Sequence, residues 1–159
     1  WRLRLEAAGG GKFVDMVAHV LDIVEYLFGK IENVSGMAEN YGGYYEVEDT
    51  VNAIFKTESG VMGNGIWCYV ADHDEEEMLI VGDKGRISTT GLFYGPIKVI
   101  IDGQEEIIDY KEPEHVAQPY IQTIVNELIG KEKSPADLES AAHVIKVMDD
   151  ILEDYRKRY

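Results

Sequence analysis

The chain has 159 residues, of which 45% are hydrophobic and 28% charged, a size and balance that suit one soluble domain with its own core and exclude a disordered tail. Thirty acidic against fifteen basic side chains leave a formal charge of -15, which repels phosphate backbones and anionic lipid and argues against nucleic-acid and membrane-surface partners. The single cysteine, Cys68, excludes an internal disulfide framework and a multi-thiolate zinc site, and no apolar run approaches the ~18 residues of a bilayer span.

The chain opens on Trp1 without a leader pattern and meets a dense motif almost at once. It therefore reads as part of a longer polypeptide, with a cytoplasmic location expected. Residues 1–4 lead to Gly9-Gly10-Gly11 and then to an apolar stretch over residues 13–28 stopped by Gly29, which predicts a helix. From about Glu32 the texture changes. Residues 50–56 and 61–70 are rich in β-branched and aromatic side chains, and turn signals follow at Ser59-Gly60, Asp83-Lys84-Gly85 and Asp102-Gly103. The last of these predicts a hairpin with arms over residues 98–101 and 104–108.

Helical spacing returns from His115, with Tyr120, Ile121, Ile124, Val125 and Leu128 on one apolar face and Gly130 as the stop. Ser134-Pro135-Ala136-Asp137 has the pattern of an N-cap, a proline at the first helical position and an acid in the first turn. Leu138, Ala141, Ile145, Met148, Leu152 and Tyr155 then stripe a terminal helix that closes on Arg156-Lys157-Arg158. A helix, about six antiparallel strands and two more helices give an α+β class: a mostly antiparallel open sheet with helices on one face. No repeat or linker interrupts residues 1–159, which read as one domain. Ile66, Trp67 and Tyr69 are expected to dock the other sheet face against a second domain or a second copy.

Chemistry concentrates on the first helix. At about 100° per residue, Asp15, His19, Asp22 and Tyr26 fall within roughly 60° of one another, among otherwise apolar neighbours. A helix apolar on nearly every other side is expected to be buried, its polar stripe paired or lining a cavity. Asp15, four residues before His19, can orient the imidazole and stabilise its protonated form, which makes the histidine a competent proton shuttle. A structural ion pair uses the same spacing. A metal bound by Asp15, His19 and Asp22 would need further ligands, and no other cluster has ligand spacing.

The glycine triplet marks either a helix-entry loop or a close approach of backbone to a ligand. It is not a dinucleotide fingerprint, because Val14 stands where the last glycine belongs, nor a P-loop, because Phe13 follows Lys12. No segment reads as strand, glycine loop, helix and acidic ribose ligand, so no cofactor-binding residue is expected in this chain. The run Asp72-His73-Asp74-Glu75-Glu76-Glu77 suits a solvated loop better than a calcium loop. Tyr41, Tyr44 and Tyr45 could stack on a sugar ring, with core or interface the preferred use. Trp67 and Tyr69 are assigned to an interface and Cys68 to the interior, while His73, His115 and His143 have no assignable partner.

Taken in order, Trp1-Arg2, Ala8-Gly9-Gly10-Gly11, Asp15-x-x-x-His19-x-x-Asp22, Val47-Glu48-Asp49-Thr50 and Gly82-Asp83-Lys84-Gly85 form a pattern, completed by residues 116–130 and Ser134-Pro135. This pattern resembles the C-terminal domain of the Gfo/Idh/MocA family of NAD(P)-dependent oxidoreductases, over essentially the whole chain. The resemblance implies a missing N-terminal Rossmann domain that binds NAD or NADP, and a fragment inactive by itself. It implies His19 as acid/base at a substrate hydroxyl, Asp15 as its partner, Arg2, Gly10 and Gly11 near substrate, and Asp22 as a structural residue. It also implies a sugar, polyol or related cyclic alcohol as substrate and a homo-oligomer formed through the open sheet face. Hydride loss from a carbinol requires its hydroxyl proton to leave in step, and a histidine titrating near its ordinary value of about 6.5 can accept it. A redox-assisted glycosidase of the same family and a non-catalytic assembly module are the rival readings.

Overall fold

The computed structural model describes residues 1–91, 95–111, 113–135 and 137–158. Its elements are α1 (Leu5–Ala8), α2 (Lys12–Phe28), β1 (Ile31–Glu39), β2 (Thr50–Thr57), β3 (Met62–Cys68), β4 (Met78–Val81), β5 (Gly85–Thr89), β6 (Ile97–Ile101), β7 (Gln104–Ile108), α3 (Gln118–Leu128) and α4 (Leu138–Arg156). The class is α+β as expected, but the strands divide between two antiparallel sheets, of three and four strands. The acidic run at residues 72–77 separates β3 from β4 without regular structure. Two compact units result: Trp1–Asp72 with Pro135–Tyr159, and His73–Ser134.

In the first unit the sheet order is β1-β2-β3. Register places Gly36, Ala53 and Gly65 in one row and Ala38, Val51 and Trp67 two residues along, on the same face. Helix α4 lies on β1 because Gly36 has no side chain: a Cβ there would stand 2.6 Å from both the Cγ2 and the carbonyl oxygen of Ile151. Val144, Val147, Met148, Ile151, Leu152 and Tyr155 are buried from α4, and Phe13, Val17, Leu21 and Val24 from α2. Helix α2 ends where Gly29 turns to a φ of 81° and its N–H bonds the Glu25 carbonyl, a conformation favourable only without a Cβ.

Three expectations about this unit need correction. Trp67 belongs to the helix-covered face, not the outer one: its ring meets Phe13 edge-on at 5.2 Å between centroids and 71° between planes. Its parity in the strand follows the register, which turns Ile66 outward and Trp67 in. The cap of α4 is Asp137, whose carboxylate accepts the Ser140 N–H at 2.9 Å; Ser134 instead donates its own N–H to Glu127 at 3.0 Å, and Ala136 lies outside the described residues. Finally, Leu138, Ala141 and Ile145 are exposed; Leu138 and Ile145 sit roughly 90–110° from the centre of the arc that faces β1 and α2.

In the second unit the sheet order is β4-β5-β6-β7. The hairpin expected at Asp102-Gly103 joins β6 to β7, with φ of 50° and 77° at the two turn residues, the signature of a primed turn. Register gathers Met78, Ile80, Ile87, Ile97, Val99 and Ile108 on one sheet face. The apolar residues of α3 are formed as a face but are not buried, and among the described residues no hydrophobic side chain of this unit is fully buried.

Candidate functional site

Helix α2 sets the first part of the site. Its buried residues Phe13, Val17, Leu21 and Val24 span about 80° of the helix surface, and Asp15, His19, Asp22 and Tyr26 centre nearly opposite them. The helix is therefore amphipathic in this chain, not buried all round: Asp15, His19 and Tyr26 are exposed and Asp22 half-buried, and Met16 and Leu27 also face outward. His19 is open to solvent, not sealed among valines and leucines. Arg2 reaches the same face, its Nε 3.5 Å from the Asp15 carboxylate.

The glycine loop sets the second part. Gly9 ends α1 in the left-handed region, φ 75°, with its N–H on the Leu5 carbonyl. Gly10 and Gly11 are buried. The Gly11 N–H donates to Glu48 Oε1 at 2.7 Å, and a Cβ on Gly11 would fall 2.4 Å from the Glu48 carbonyl oxygen. From the other side, Arg156 Nη2 donates to the Gly9 carbonyl at 2.9 Å, while its Nη1 pairs with Asp149. Glu48 is only 2% exposed. Burial pushes its carboxyl above the usual range, and the Gly11 N–H and the Arg156 guanidinium pull it back.

Neither Glu48 nor Arg156 stands out in the sequence as a site residue. The only signal was the acid pair Glu48-Asp49 at the start of a strand. Asp49, also buried, accepts the Tyr41 and Gly42 amides at 3.0 and 2.7 Å and the Thr50 hydroxyl at 2.9 Å, so it ties down the turn beside the loop. Tyr41 and Tyr44 point to solvent, whereas the Tyr45 hydroxyl is buried without a hydrogen-bond partner among the described residues. Burial raises its titration, reinforced by Asp49 and Glu48. Cys68 is exposed, contrary to expectation, because it lies on the outer side of β3. His143 has a partner after all, Glu25 Oε1 at 2.7 Å, and the same oxygen accepts the Ile31 N–H at 2.9 Å.

The GFO/IDH/MocA C-terminal domain family matches residues 1–88. The chain belongs to that family. Oxidoreductase P35 of Formosa agariphila is 34% identical over 149 residues, which make up 94% of this chain and 46% of that protein. Aldose-aldose oxidoreductase from Caulobacter crescentus, solved with glycerol, shares the fold over 100% of the chain and 49% of its own, with a TM-score of 0.83 at 18% identity. Levoglucosan dehydrogenase, solved with NADH and levoglucosan, gives 0.81 at 17% identity over 100% of this chain and 52% of its own. The chain thus spans about half the length of the relatives it matches.

As a Gfo/Idh/MocA C-terminal domain, the chain raises the question of a nicotinamide dinucleotide, and its glycine loop does not fit the phosphates of one. A phosphate cradle needs free backbone N–H groups at a glycine turn; here the Gly11 N–H is taken by a carboxylate that would also repel a phosphate. Lys12 lies over the Tyr69 ring, 5.8 Å from its centroid. A cleft lined by Leu3, Arg4, Leu5, Glu6, Tyr45 and Glu46 includes neither Asp15 nor His19. Among the described residues no group of three or more His, Cys, Asp or Glu side chains could hold a metal ion, and no helix is long and apolar enough to cross a membrane.

Proposed function

We propose that this chain is the substrate-binding and catalytic half of an NAD(P)-dependent oxidoreductase acting on a sugar, polyol or related cyclic alcohol or ketone. The carrying observation is the ionisable line of α2, turned away from the core and open to solvent at His19 in a chain of this family. The sugar-acting relatives support the substrate class.

His19 takes the hydroxyl proton of the alcohol and returns it in the reverse direction. Asp15, one helical turn before it, is its orienting carboxylate. The exposed Arg2–Asp15 pair is 3.5 Å long, a contact of the kind worth about 0–1 kcal/mol, so Asp15 can turn to the imidazole when substrate engages Arg2. Gly10 and Gly11 form the loop against which substrate lies, and Asp22 is structural. NAD or NADP is held by the half of the polypeptide that this chain lacks and supplies the redox chemistry, so the chain alone is inactive. Substrate would lie between that half and the α2 face.

The test uses the full-length protein with NAD or NADP and a panel of aldoses, polyols and anhydrosugars. His19→Ala should lower kcat by about 10²–10⁴-fold and leave dinucleotide affinity unchanged. Full turnover in this variant overturns the assignment.

A further inference from the structure

We propose that Glu48 and Arg156 are positioning residues: together they clamp the glycine loop and so set where α2 carries Asp15 and His19. The proposal rests on the reading of His19 as the acid/base.

Three observations support it. First, the N-cap of α2 is Gly11, which has no side chain to cap the helix. In a capping box a glutamate three residues into the helix reaches back to the N-cap N–H; here that bond comes from Glu48, in the connection between β1 and β2, across 37 residues. Second, the carbonyl two residues earlier, on Gly9, is held by Arg156 in the last turn of α4. The loop is gripped by an acceptor on one side and a donor on the other, each from a different element, and a Cβ on Gly11 would clash with Glu48. Third, Glu48 is almost fully buried, so the oxygen that accepts from Gly11 is held there without competition from water.

The lever is short. His19 is eight residues past Gly11, about 12 Å along the axis, so a tilt at the loop displaces the imidazole by a comparable fraction of its reach. Misplacing a catalytic group by about 1 Å costs on the order of 100-fold in rate. Neither clamp residue is placed to touch substrate; both act through the backbone of Gly9 and Gly11.

The experiment measures kcat, the KM for sugar and dinucleotide, and thermal stability of the full-length protein. Glu48→Ala and Arg156→Met should each lower kcat about tenfold or more, with the dinucleotide KM unchanged. Glu48→Gln, which keeps the acceptor, should restore kcat to within about twofold of wild type. The double variant should be no slower than the slower single variant, because both act on one loop. If Glu48→Ala does not fold, Arg156→Met carries the same test from the more exposed side of the clamp. A wild-type kcat in the folded single variants, or a Glu48→Gln variant as slow as Glu48→Ala, overturns the clamp. His19→Ala run in parallel separates the two ideas: loss of turnover there with normal clamp variants rejects the clamp alone, and full turnover there rejects the acid/base reading itself.

Discussion

Glu48 keeps its carboxyl out of water, and the direction of its shift has a consequence for stability. Because burial raises its titration, the native chain binds this proton more readily than the unfolded chain does. Its contribution is therefore most favourable below the ordinary glutamate value of about 4.3 and is lost as pH rises through the raised value. Glu48→Gln removes the titration, so it should gain on the wild type between acid and neutral pH and lose that advantage again on acidification. Urea melts of both proteins across that range measure the gap, and a gap independent of pH counts against the assignment. Sequence spacing alone reveals the line Asp15, His19, Asp22, Tyr26, since it needs only helical geometry. That line's exposure was not legible, because Met16 and Leu27 look like core residues until the arc of Phe13, Val17, Leu21 and Val24 is known. The clamp was not legible either: its partners are 37 and 147 residues apart in sequence.

At the scale of elements, α4 owes its place to contacts its own sequence only partly declares. Leu152 is fully buried, whereas Leu138, on the same predicted stripe, is 90% exposed. Leu152→Ala should cost about 2–5 kcal/mol, and Leu138→Ala should stay within about 0.5 kcal/mol of the wild type. Equal losses in denaturant unfolding would show that the buried arc is wrongly drawn. The start of α4 was misread for a related reason. Ser134 and Asp137 are both good capping residues, and only the Ser140 N–H, on the carboxylate of Asp137, decides between them. By contrast, the Asp102-Gly103 hairpin and the glycine stop of α2 were plain, because a positive φ is a local demand that few residues meet. Strand parity lies between these cases. Alternation in β3 is visible in the sequence, but which side faces the helices depends on pairing with β2.

For the whole molecule, the outer face of the three-stranded sheet offers Met37, Ile54, Met62 and Ile66, the isoleucines 64% and 70% exposed. A patch of this kind is the proposed contact between copies. Ile54→Lys with Ile66→Lys in the full-length protein should reduce the mass seen by light scattering to that of a smaller assembly; an unchanged mass would remove this face from the interface. The fold class was readable from helical spacing at both ends and strand texture between them, and the family pattern from its glycine, acid and Ser-Pro positions taken in chain order. The division into two units was not, because the acidic run at 72–77 reads equally well as a loop within one sheet.

The first unit is also discontinuous, made from Trp1–Asp72 and Pro135–Tyr159. A nascent polypeptide that has emerged as far as Asp72 already holds β1, β2 and β3 but not the helix that covers Gly36 and Ala38. Until α4 has left the ribosome, those strands have only α2 over their apolar side, and the part around Gly36 and Ala38 stays uncovered. Truncated translation products ending inside the second unit would carry that side permanently and would be the species that chaperones and proteases meet.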